Sequence, residues 1–358
     1  MTTPPLAQSL PIDMQPLAGK SALSLLWRWL RPWLALNLAG QRHLHRTRID
    51  PAARRVLWIY KGTPQVGDAL MDLSSRTLLR GLPLQLDLLT DPHLAQMFAA
   101  DDVFSSVHSD VTSLDLQGYD LVILDSFKAR CLRDKLMHLR RIPFVTMRGY
   151  FSGAEFNRTL FSFYRMQQLL GACAPVALSP MRPWLVSTNV DQHRAAAVPI
   201  ISGALAVGVG GVVSERIYQH WAEVIENLFE QEQVEQVVLV GSANGSEMAQ
   251  RIIARFGGAP RIIDCVGAFT LGASMEILRR CSCLACSDGG LMHLAVAAGT
   301  PVVALFDKAV EPSMRMTGAV DSLSMQSTDA VSALEATAVS ALIATTLVSP
   351  SARLEGTA

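Results

Sequence analysis

The chain has 358 residues, of which 50% are hydrophobic and 17% are charged, and this length predicts about two domains. The composition is too apolar for an intrinsically disordered protein. Because 31 basic residues balance 31 acidic ones, the chain lacks the basic excess of a dedicated nucleic-acid-binding protein. Its six cysteines are too few for a disulfide scaffold of this size, which favours a reducing compartment.

Residues 1–50 are expected to form an N-terminal extension whose first twenty residues, with four prolines, are disordered. No secretory signal pattern is present. The apolar stretch 22–40 is interrupted by Arg28, Arg31 and Pro32, which argues against a membrane-spanning helix, since charge is costly there and proline breaks helices. Its tryptophans and arginines are typical of an interfacial amphipathic helix. A helix packed on the protein's own surface is the alternative.

Strands alternate with helical patterns from residue 51 to residue 185. The apolar run 55–60 (RVLWIY) predicts the first strand, and a Gly/Pro loop separates it from a helix over 69–80. Further strands are predicted at 84–89, 121–124 and 143–147. Such alternation is typical of a parallel sheet with crossover helices.

A second α/β region follows a proline-marked connection. Prolines 175, 180, 183 and 199 predict few regular elements, and we place an interdomain linker at 186–203. The second domain spans 204–348, before a tail at 349–358. We predict strands at 204–209, 236–240, 261–265, 283–286 and 301–306, the last closing the sheet, and helices at 215–231, 246–256, 271–280, 292–298 and 329–347. The expected fold is two facing Rossmann-like α/β domains with a cleft between them, where ligands bind beyond the carboxyl ends of the strands.

The stretch 285–306 (ACSDGGLMHLAVAAGTPVVALF) combines a strand, a glycine turn and a helix start. Gly289 and Gly290 let a ligand approach the backbone closely, and the free N–H groups of a helix start attract a phosphate. Asp288 can accept hydrogen bonds there, and His293 lies in the first helical turn. A tight turn with Asp288 as the helix cap explains the pattern equally well.

With its flanks, this stretch resembles the C-terminal signature of glycosyltransferase family 9, the heptosyltransferases of lipopolysaccharide synthesis. The matching positions are Asp288, Gly290, His293, Gly299, Thr300, Pro301, Leu305 and Phe306. Weaker family motifs are matched by Gly267 with Thr270 and Leu271, by Gly241 after QVVLV, and by residues 66–70 (VGDAL) after the first strand. The resemblance extends from about residue 56 to about residue 347.

The resemblance implies a GT-B fold and transfer with inversion at the anomeric carbon, without a metal. The C-terminal domain would bind a nucleotide sugar, ADP-heptose in the best-known members, and the N-terminal domain the acceptor. Inversion needs a base that takes the proton of the acceptor hydroxyl. Asp68 lies in a glycine loop at the end of the first strand and matches the family's proposed base. The alternative for Asp68 is a helix cap, with Asp72 at the surface.

Without a metal, the leaving diphosphate would be neutralised by the N–H groups of Gly289, Gly290 and Leu291. Several donor positions depart from the family pattern. Ser214 stands where relatives often have a lysine, so Arg216 is the candidate cation, although it could be an ordinary exposed arginine. Gly289 replaces a Ser or Thr, Asn244 or Glu247 replaces the acidic residue that holds the ribose, and Asp307 interrupts the usual F-G-P.

Acceptors of this family carry carboxylates or phosphates, so basic residues are expected around the acceptor. The candidates are Lys61, Arg76, Arg80 and Lys128, together with Arg130 and Arg148. For each one, an ordinary solvated charge is the alternative. Cys281, Cys283 and Cys286 lie close in sequence but lack a fourth ligand at zinc spacing, so we predict no metal site.

The function expected from the sequence is transfer of a sugar, expected to be a heptose, from a nucleotide donor to a lipopolysaccharide core or related envelope glycan. The partners would be the nucleotide sugar, a lipid-linked acceptor and the cytoplasmic face of the inner membrane, with no other cofactor and no nucleic acid. A catalytically silent relative that binds a glycan or a partner protein is the alternative. An NAD-dependent enzyme is disfavoured because G-x-G-x-x-G does not follow the first strand.

Overall fold

The computed structural model describes residues 22–149, 157–171, 181–258 and 260–348. The chain divides into two compact units, Met1–Val186 and Ser187–Ala358. The predicted disordered lead and the C-terminal tail lie outside the described residues. None of the helices in the described ranges has the length and apolarity needed to cross a bilayer.

The N-terminal unit contains one parallel sheet in its described part. Its helices are α1 (Ala22–Leu38), α2 (Val66–Asp72), α3 (Pro92–Phe98), α4 (Ala129–His138) and α5 (Arg158–Leu169); its strands are β1 (Arg55–Tyr60), β2 (Gln85–Thr90), β3 (Ser106–His108), β4 (Leu121–Leu124) and β5 (Phe144–Thr146). The strand order is β3-β2-β1-β4-β5, with every pair parallel. The order reverses direction at β1, so the loop after β1 lies at the position where open α/β sheets bind ligands.

Strand β1 is buried on both faces, as its apolar sequence predicts. Val56, Trp58 and Tyr60 belong to one core cluster, whereas Leu57 and Ile59 belong to another. This alternation follows from the two-residue period of a strand. The predicted helix over 69–80 is wrong in its second half, because α2 ends at Asp72 and a 3-10 helix spans Ser74–Leu79. The Ser74 hydroxyl donates to the Met71 carbonyl 2.6 Å away and competes with the helical backbone.

The N-terminal extension packs on the unit that follows it. Helix α1 runs through Pro32, contrary to the expected break, and Leu36 is buried in the cluster around Leu57 and Ile59. That burial offsets the backbone hydrogen bond which proline removes. After α1, His45 stacks on the Phe144 ring at 4.9 Å, and the Arg46 N–H donates to the Phe144 carbonyl. The extension therefore covers the β5 edge of the sheet.

The C-terminal unit also contains a parallel sheet. Its helices are α6 (Asn189–Ala196), α7 (Trp221–Glu230), α8 (Ser246–Arg255), α9 (Leu271–Arg279), α10 (Gly290–Ala298) and α11 (Ala336–Val348); its strands are β6 (Leu205–Gly208), β7 (Val237–Val240), β8 (Ile262–Asp264), β9 (Cys283–Ser287), β10 (Val302–Phe306) and β11 (Ser322–Gln326). The order is β11-β10-β9-β6-β7-β8, and the direction reverses at β6. The predicted closure of the sheet by β10 is wrong, since β11 pairs beyond it.

The segment expected to hold few regular elements contains a helix. Thr188 and Asp191 form a capping box at the start of α6, which packs on α9. The Thr270 hydroxyl, which caps α9, also donates to Asp191. Residues 187–203 are therefore part of the C-terminal unit rather than an extended linker. Prolines 175 and 180 lie outside the described residues.

Candidate functional site

Asp68 lies in the first turn of α2, just beyond the end of β1. Gln65 occupies the cap position of this helix, so the alternative of Asp68 as a helix cap is wrong. The Asp68 carboxylate instead pairs with the Arg158 guanidinium at 3.0 Å, and its side chain is 26% exposed. A partly exposed carboxylate at the carboxyl end of a strand can reach a substrate hydroxyl.

Asp72 lies one helical turn after Asp68 and is buried, which corrects the expected surface position. The Tyr60 hydroxyl donates to Asp72 at 2.9 Å, and Arg148 and Arg158 pair with the same carboxylate. Burial alone would raise the pKa of Asp72, but the two guanidinium groups outweigh it and the pKa is lowered. Arg148 also pairs with buried Asp125, and this pairing corrects the expectation that Arg148 binds the acceptor.

The predicted acceptor-binding residues differ in what they can reach. Arg76 is fully buried, pairs with Asp101 at 2.5 Å and donates to the Trp184 carbonyl, so it holds the fold and does not face a substrate. Arg80 pairs with Asp102 at 2.6 Å and remains partly exposed. The backbone that carries Arg76 is a 3-10 helix that ends before Arg80.

Lys61 and Lys128 follow the ends of β1 and β4. Lys61 pairs with Asp134 at 3.1 Å and retains only 12% side-chain exposure. The Lys128 ammonium donates to the Thr63 hydroxyl at 2.5 Å. Burial, followed by the charge of Arg148, lowers the pKa of Lys128. Lys128 is thus placed beside the loop after β1, whereas the charge of Lys61 is already compensated. Arg130 pairs loosely with Asp91 and stays exposed.

The glycine turn after β9 forms the candidate donor region. Helix α10 begins at Gly290, and Gly289 at the cap position provides no side-chain cap. The first N–H groups of this helix, including those of Gly290 and Leu291, have no partner within the helix and can bind an anion. His293 is buried in the same turn.

Asp288 pairs with arginines instead of capping α10. Arg216 approaches it at 3.0 Å and Arg315 at 3.5 Å, so the alternative of Asp288 as a helix cap is wrong. Burial raises the pKa of Asp288, and these two cations reduce that rise. Arg216 also pairs with Asp307 at 3.0 Å, at the end of β10. Arg216 is therefore a partly buried member of a four-charge cluster and not a freely exposed arginine.

Ser214, at the position of the family's lysine, is exposed, and its hydroxyl donates to Glu215 at 2.8 Å. The predicted helix over 215–231 begins only at Trp221, because Ser214–Arg216 forms a 3-10 helix. Arg216, the last residue of this 3-10 helix, is the one that pairs with Asp288 and Asp307.

The loops after β6 and β7 pack backbone to backbone. A Cβ at Gly241 would lie 2.5 Å from the Val209 carbonyl oxygen, so this contact requires glycine. The Asn244 amide donates to the Gly211 carbonyl at 2.8 Å, and the Ser242 hydroxyl donates to the Asn244 side-chain oxygen. Asn244 therefore ties the two loops together, whereas Glu247 is exposed.

Sequence reasoning missed two arginines of these regions, Arg158 and Arg315. Neither belongs to a motif, and Arg158 is 86 residues from Asp72 in sequence. Cys281, Cys283 and Cys286 are buried, and burial raises the pKa of Cys283 to about 12. Within the described ranges, no group of three His, Cys, Asp or Glu side chains is arranged to hold a metal ion.

Residues 217–337 match the family model of glycosyltransferase family 9 (heptosyltransferase). No curated protein matches the chain in sequence. A solved glycosyl transferase family 9 protein from Veillonella parvula is similar in structure, with a TM-score of 0.68 and 15% identity over 85% of this chain and 99% of that one. The ADP-heptose lipopolysaccharide heptosyltransferase II of E. coli gives a TM-score of 0.62 and 15% identity, over 82% of this chain and 98% of that one.

The E. coli heptosyltransferase WaaC with ADP-2-deoxy-2-fluoro heptose gives a TM-score of 0.62 and 18% identity, over 81% of this chain and 98% of that one. These structures share the α/β fold of two parallel-sheet units that the sequence predicts. The family match lies in the unit that carries the β9–α10 turn. The residues that carry the β9–α10 turn are therefore similar to glycosyltransferase family 9, and most of the chain shares the fold of these solved structures.

Proposed function

We propose that this protein transfers a sugar, with inversion and without a metal, from a nucleotide sugar to a lipopolysaccharide core or related envelope glycan. The proposed donor is ADP-heptose, the ligand class named for the E. coli structures. The observation that carries the proposal is the uncapped start of α10 at Gly290, within the family-matched residues. Backbone N–H groups there can neutralise a leaving diphosphate in the absence of a metal.

Asp68 is the proposed general base. Its carboxylate takes the proton of the acceptor hydroxyl as that oxygen attacks the anomeric carbon, while the bond from that carbon to the diphosphate breaks and its electrons leave with the diphosphate. The partial exposure of Asp68 at the end of β1 supports this role. Lys128, beside the loop after β1, is the proposed contact for an anionic group of the acceptor.

The Asp307–Arg216 pair favours a second candidate, a silent relative that binds a glycan without transferring sugar. Arg216 is already engaged by two carboxylates, so fewer cations remain for a diphosphate. Calorimetric titration with ADP-heptose, UDP-glucose and ADP distinguishes the candidates. Binding of ADP-heptose at micromolar concentration supports the enzyme, whereas no heat with any of the three supports the silent relative.

Activity is tested by the loss of a sugar from lipopolysaccharide. In a deletion strain, mass spectrometry of the lipopolysaccharide is expected to show a core that lacks one heptose. The wild-type protein with ADP-heptose should restore that mass in vitro, and Asp68→Asn should not. Unchanged lipopolysaccharide in the deletion strain would refute the proposed acceptor.

We further propose that α1 lies on an anionic membrane surface, where a lipid-linked acceptor would be found. Its exposed residues Leu23, Trp27, Arg31, Leu34 and Leu38 are spaced four, four, three and four residues apart, which places them on one face. Leu38 is 85% exposed and Trp27 59%. Three exposed arginines follow the helix at positions 42, 46 and 48. Apolar side chains with flanking arginines suit an anionic lipid surface.

Vesicle co-sedimentation tests this surface. The wild-type protein should bind phosphatidylglycerol vesicles more tightly than phosphatidylcholine vesicles, and Trp27→Ser with Leu34→Ser should weaken binding at least tenfold. The control is Val190→Ser, an exposed apolar side chain on α6, which should bind like the wild type. Equal binding by the Trp27/Leu34 variant would remove α1 as the contact.

A further inference from the structure

The guanidinium of Arg158 connects the two carboxylates of α2. Asp68 and Asp72 are four residues apart on this helix and therefore share a face. Arg158 Nε donates to Asp72 Oδ1 at 2.8 Å, and Nη2 pairs with Asp72 Oδ2. The remaining nitrogen, Nη1, lies 3.0 Å from Asp68 Oδ2. All three nitrogens of the Arg158 guanidinium thus contact a carboxylate, two of them that of Asp72 and one that of Asp68.

The orientation of this guanidinium is fixed by buried groups behind it. Asp72 receives a hydrogen bond from Tyr60 and a second guanidinium from Arg148 at 3.1 Å. The Ser162 hydroxyl, on the same helix as Arg158, donates to the Asp72 backbone carbonyl at 2.6 Å. Arg158 itself is 5% exposed. Because it makes a bidentate contact with an immobilised carboxylate, the planar guanidinium of Arg158 has little freedom to rotate.

We propose that Arg158 is a positioning residue that aims the Asp68 carboxylate, and this inference rests on the proposed role of Asp68 as the base. Among the described residues, no other ion pair or hydrogen bond engages Asp68. Since Arg158 contacts Oδ2, Oδ1 remains to take the proton of the acceptor hydroxyl. Holding the base in one orientation raises the rate because the reacting atoms need not search for alignment.

A lysine in place of Arg158 would retain the charge but not the bidentate contact with Asp72 that fixes the orientation of the guanidinium.

The test compares Arg158→Gln and Arg158→Lys with the wild type, using ADP-heptose and lipopolysaccharide from the deletion strain. Arg158→Gln should lower kcat by about 10²-fold, with less than about a threefold change in the acceptor KM, because a positioning residue does not bind substrate. Arg158→Lys should also keep kcat below wild type, because an ammonium group cannot make the bidentate contact with Asp72.

Removing Arg158 leaves a buried carboxylate with less compensation, and the variant could fail to fold. The double variant Arg158→Gln/Asp72→Asn removes that charge and should show the same loss of kcat, again with little change in the acceptor KM. Arg165→Gln is the matched control. Arg165 is a buried arginine of the same helix that donates to the Thr146 carbonyl, and its variant should keep the wild-type kcat.

The results separate this inference from the function on which it rests. If Asp68→Asn retains full turnover, Asp68 is not the base and the proposed mechanism fails. If Asp68→Asn is inactive but folded Arg158→Gln and the double variant keep the wild-type kcat, only the positioning role is overturned. A kcat loss in Arg165→Gln equal to that in Arg158→Gln would also overturn it, because general disturbance of α5 would then explain both.

Discussion

Asp307 engages Arg216, the arginine that the donor proposal needs for a diphosphate. The two side chains approach at 3.0 Å, and Asp288 lies at the same distance from a second nitrogen of Arg216. A diphosphate must therefore compete with two carboxylates for one guanidinium. The sequence identifies Asp307 as a departure from the family pattern but does not show that it contacts Arg216, because the residues come from different strands' loops.

Replacing Asp307 by glycine should strengthen donor binding. Arg216 would keep one carboxylate partner and gain freedom to reach phosphate, which for a partly exposed ion pair is worth about 1 kcal/mol or less. Titration calorimetry with ADP should show affinity about three- to fivefold higher in Asp307→Gly. Lys308→Ala, which breaks an exposed pair with Asp329, is the control and should bind ADP like the wild type. Weaker binding in Asp307→Gly would show that Asp307 supports the donor region.

Substitution by serine should affect the stability of the protein differently at two glycines of the donor region. Gly289 has extended backbone, and an added Cβ would lie 3.8 Å from the Ser287 carbonyl oxygen, an ordinary contact. Gly289→Ser should therefore fold normally and add a hydroxyl near the diphosphate. At Gly241 the Cβ would lie 2.5 Å from the Val209 carbonyl, so Gly241→Ser should lower the free energy of unfolding by about 1–3 kcal/mol. Urea denaturation measures both, and equal stabilities would contradict the close approach at Gly241.

At the scale of elements, buried parallel strands were predictable and edge elements were not. The run LVIL of β4 is apolar throughout and was located without error. Edge strand β3 has only three residues, and β11 reads SLSMQ, with polar residues that hide its pairing. The start of α7 was misplaced because residues Ser214–Arg216 form a 3-10 helix that helical periodicity does not distinguish from an α-helix. Contacts between residues far apart in the sequence determine those edge strands and helix boundaries that local sequence patterns do not predict.

The contact between the N-terminal extension and α4 should depend on pH through Lys135. Its ammonium donates to Gln41 at 2.7 Å and to the Leu139 carbonyl. Burial lowers the pKa of Lys135 to about 8, below the value of about 10.4 in an unfolded chain. Between these values the unfolded state binds more protons than the folded state, so the Lys135 contribution to the free energy of unfolding rises with pH.

Lys135→Met isolates that contribution. The difference in free energy of unfolding between wild type and variant should increase in favour of the wild type from about pH 8 to about pH 10, as measured by urea denaturation at each pH. Using the difference removes the titration of tyrosines and cysteines, which is common to both proteins. A difference that stays constant over this range would mean that Lys135 is charged in the folded protein throughout.

At the scale of the whole molecule, the net charge is zero, although arginines are concentrated in the N-terminal extension. Helix α1 contains arginine but no acidic residue, and the exposed arginines 42, 46 and 48 follow it. The sequence left a membrane helix and a packed helix as alternatives. In the structure, Leu36 is buried, as the packed alternative predicts, while Leu38, two residues later, is 85% exposed. Only tertiary contacts could assign the two faces.

Two truncations should distinguish the contribution of the extension to vesicle binding from its contribution to the stability of the N-terminal unit. Removing residues 1–30 deletes exposed Leu23 and Trp27 but keeps Leu36, Gln41 and Ile49, so the fold should persist with little change in Tm while vesicle binding falls. Removing residues 1–50 also deletes buried Leu36 and Ile49, each worth about 1.5–3 kcal/mol of burial, and uncovers the β5 edge. Calorimetry should then show a lowered Tm. If the longer truncation melted like the shorter one, residues 31–50 would not stabilise the N-terminal unit.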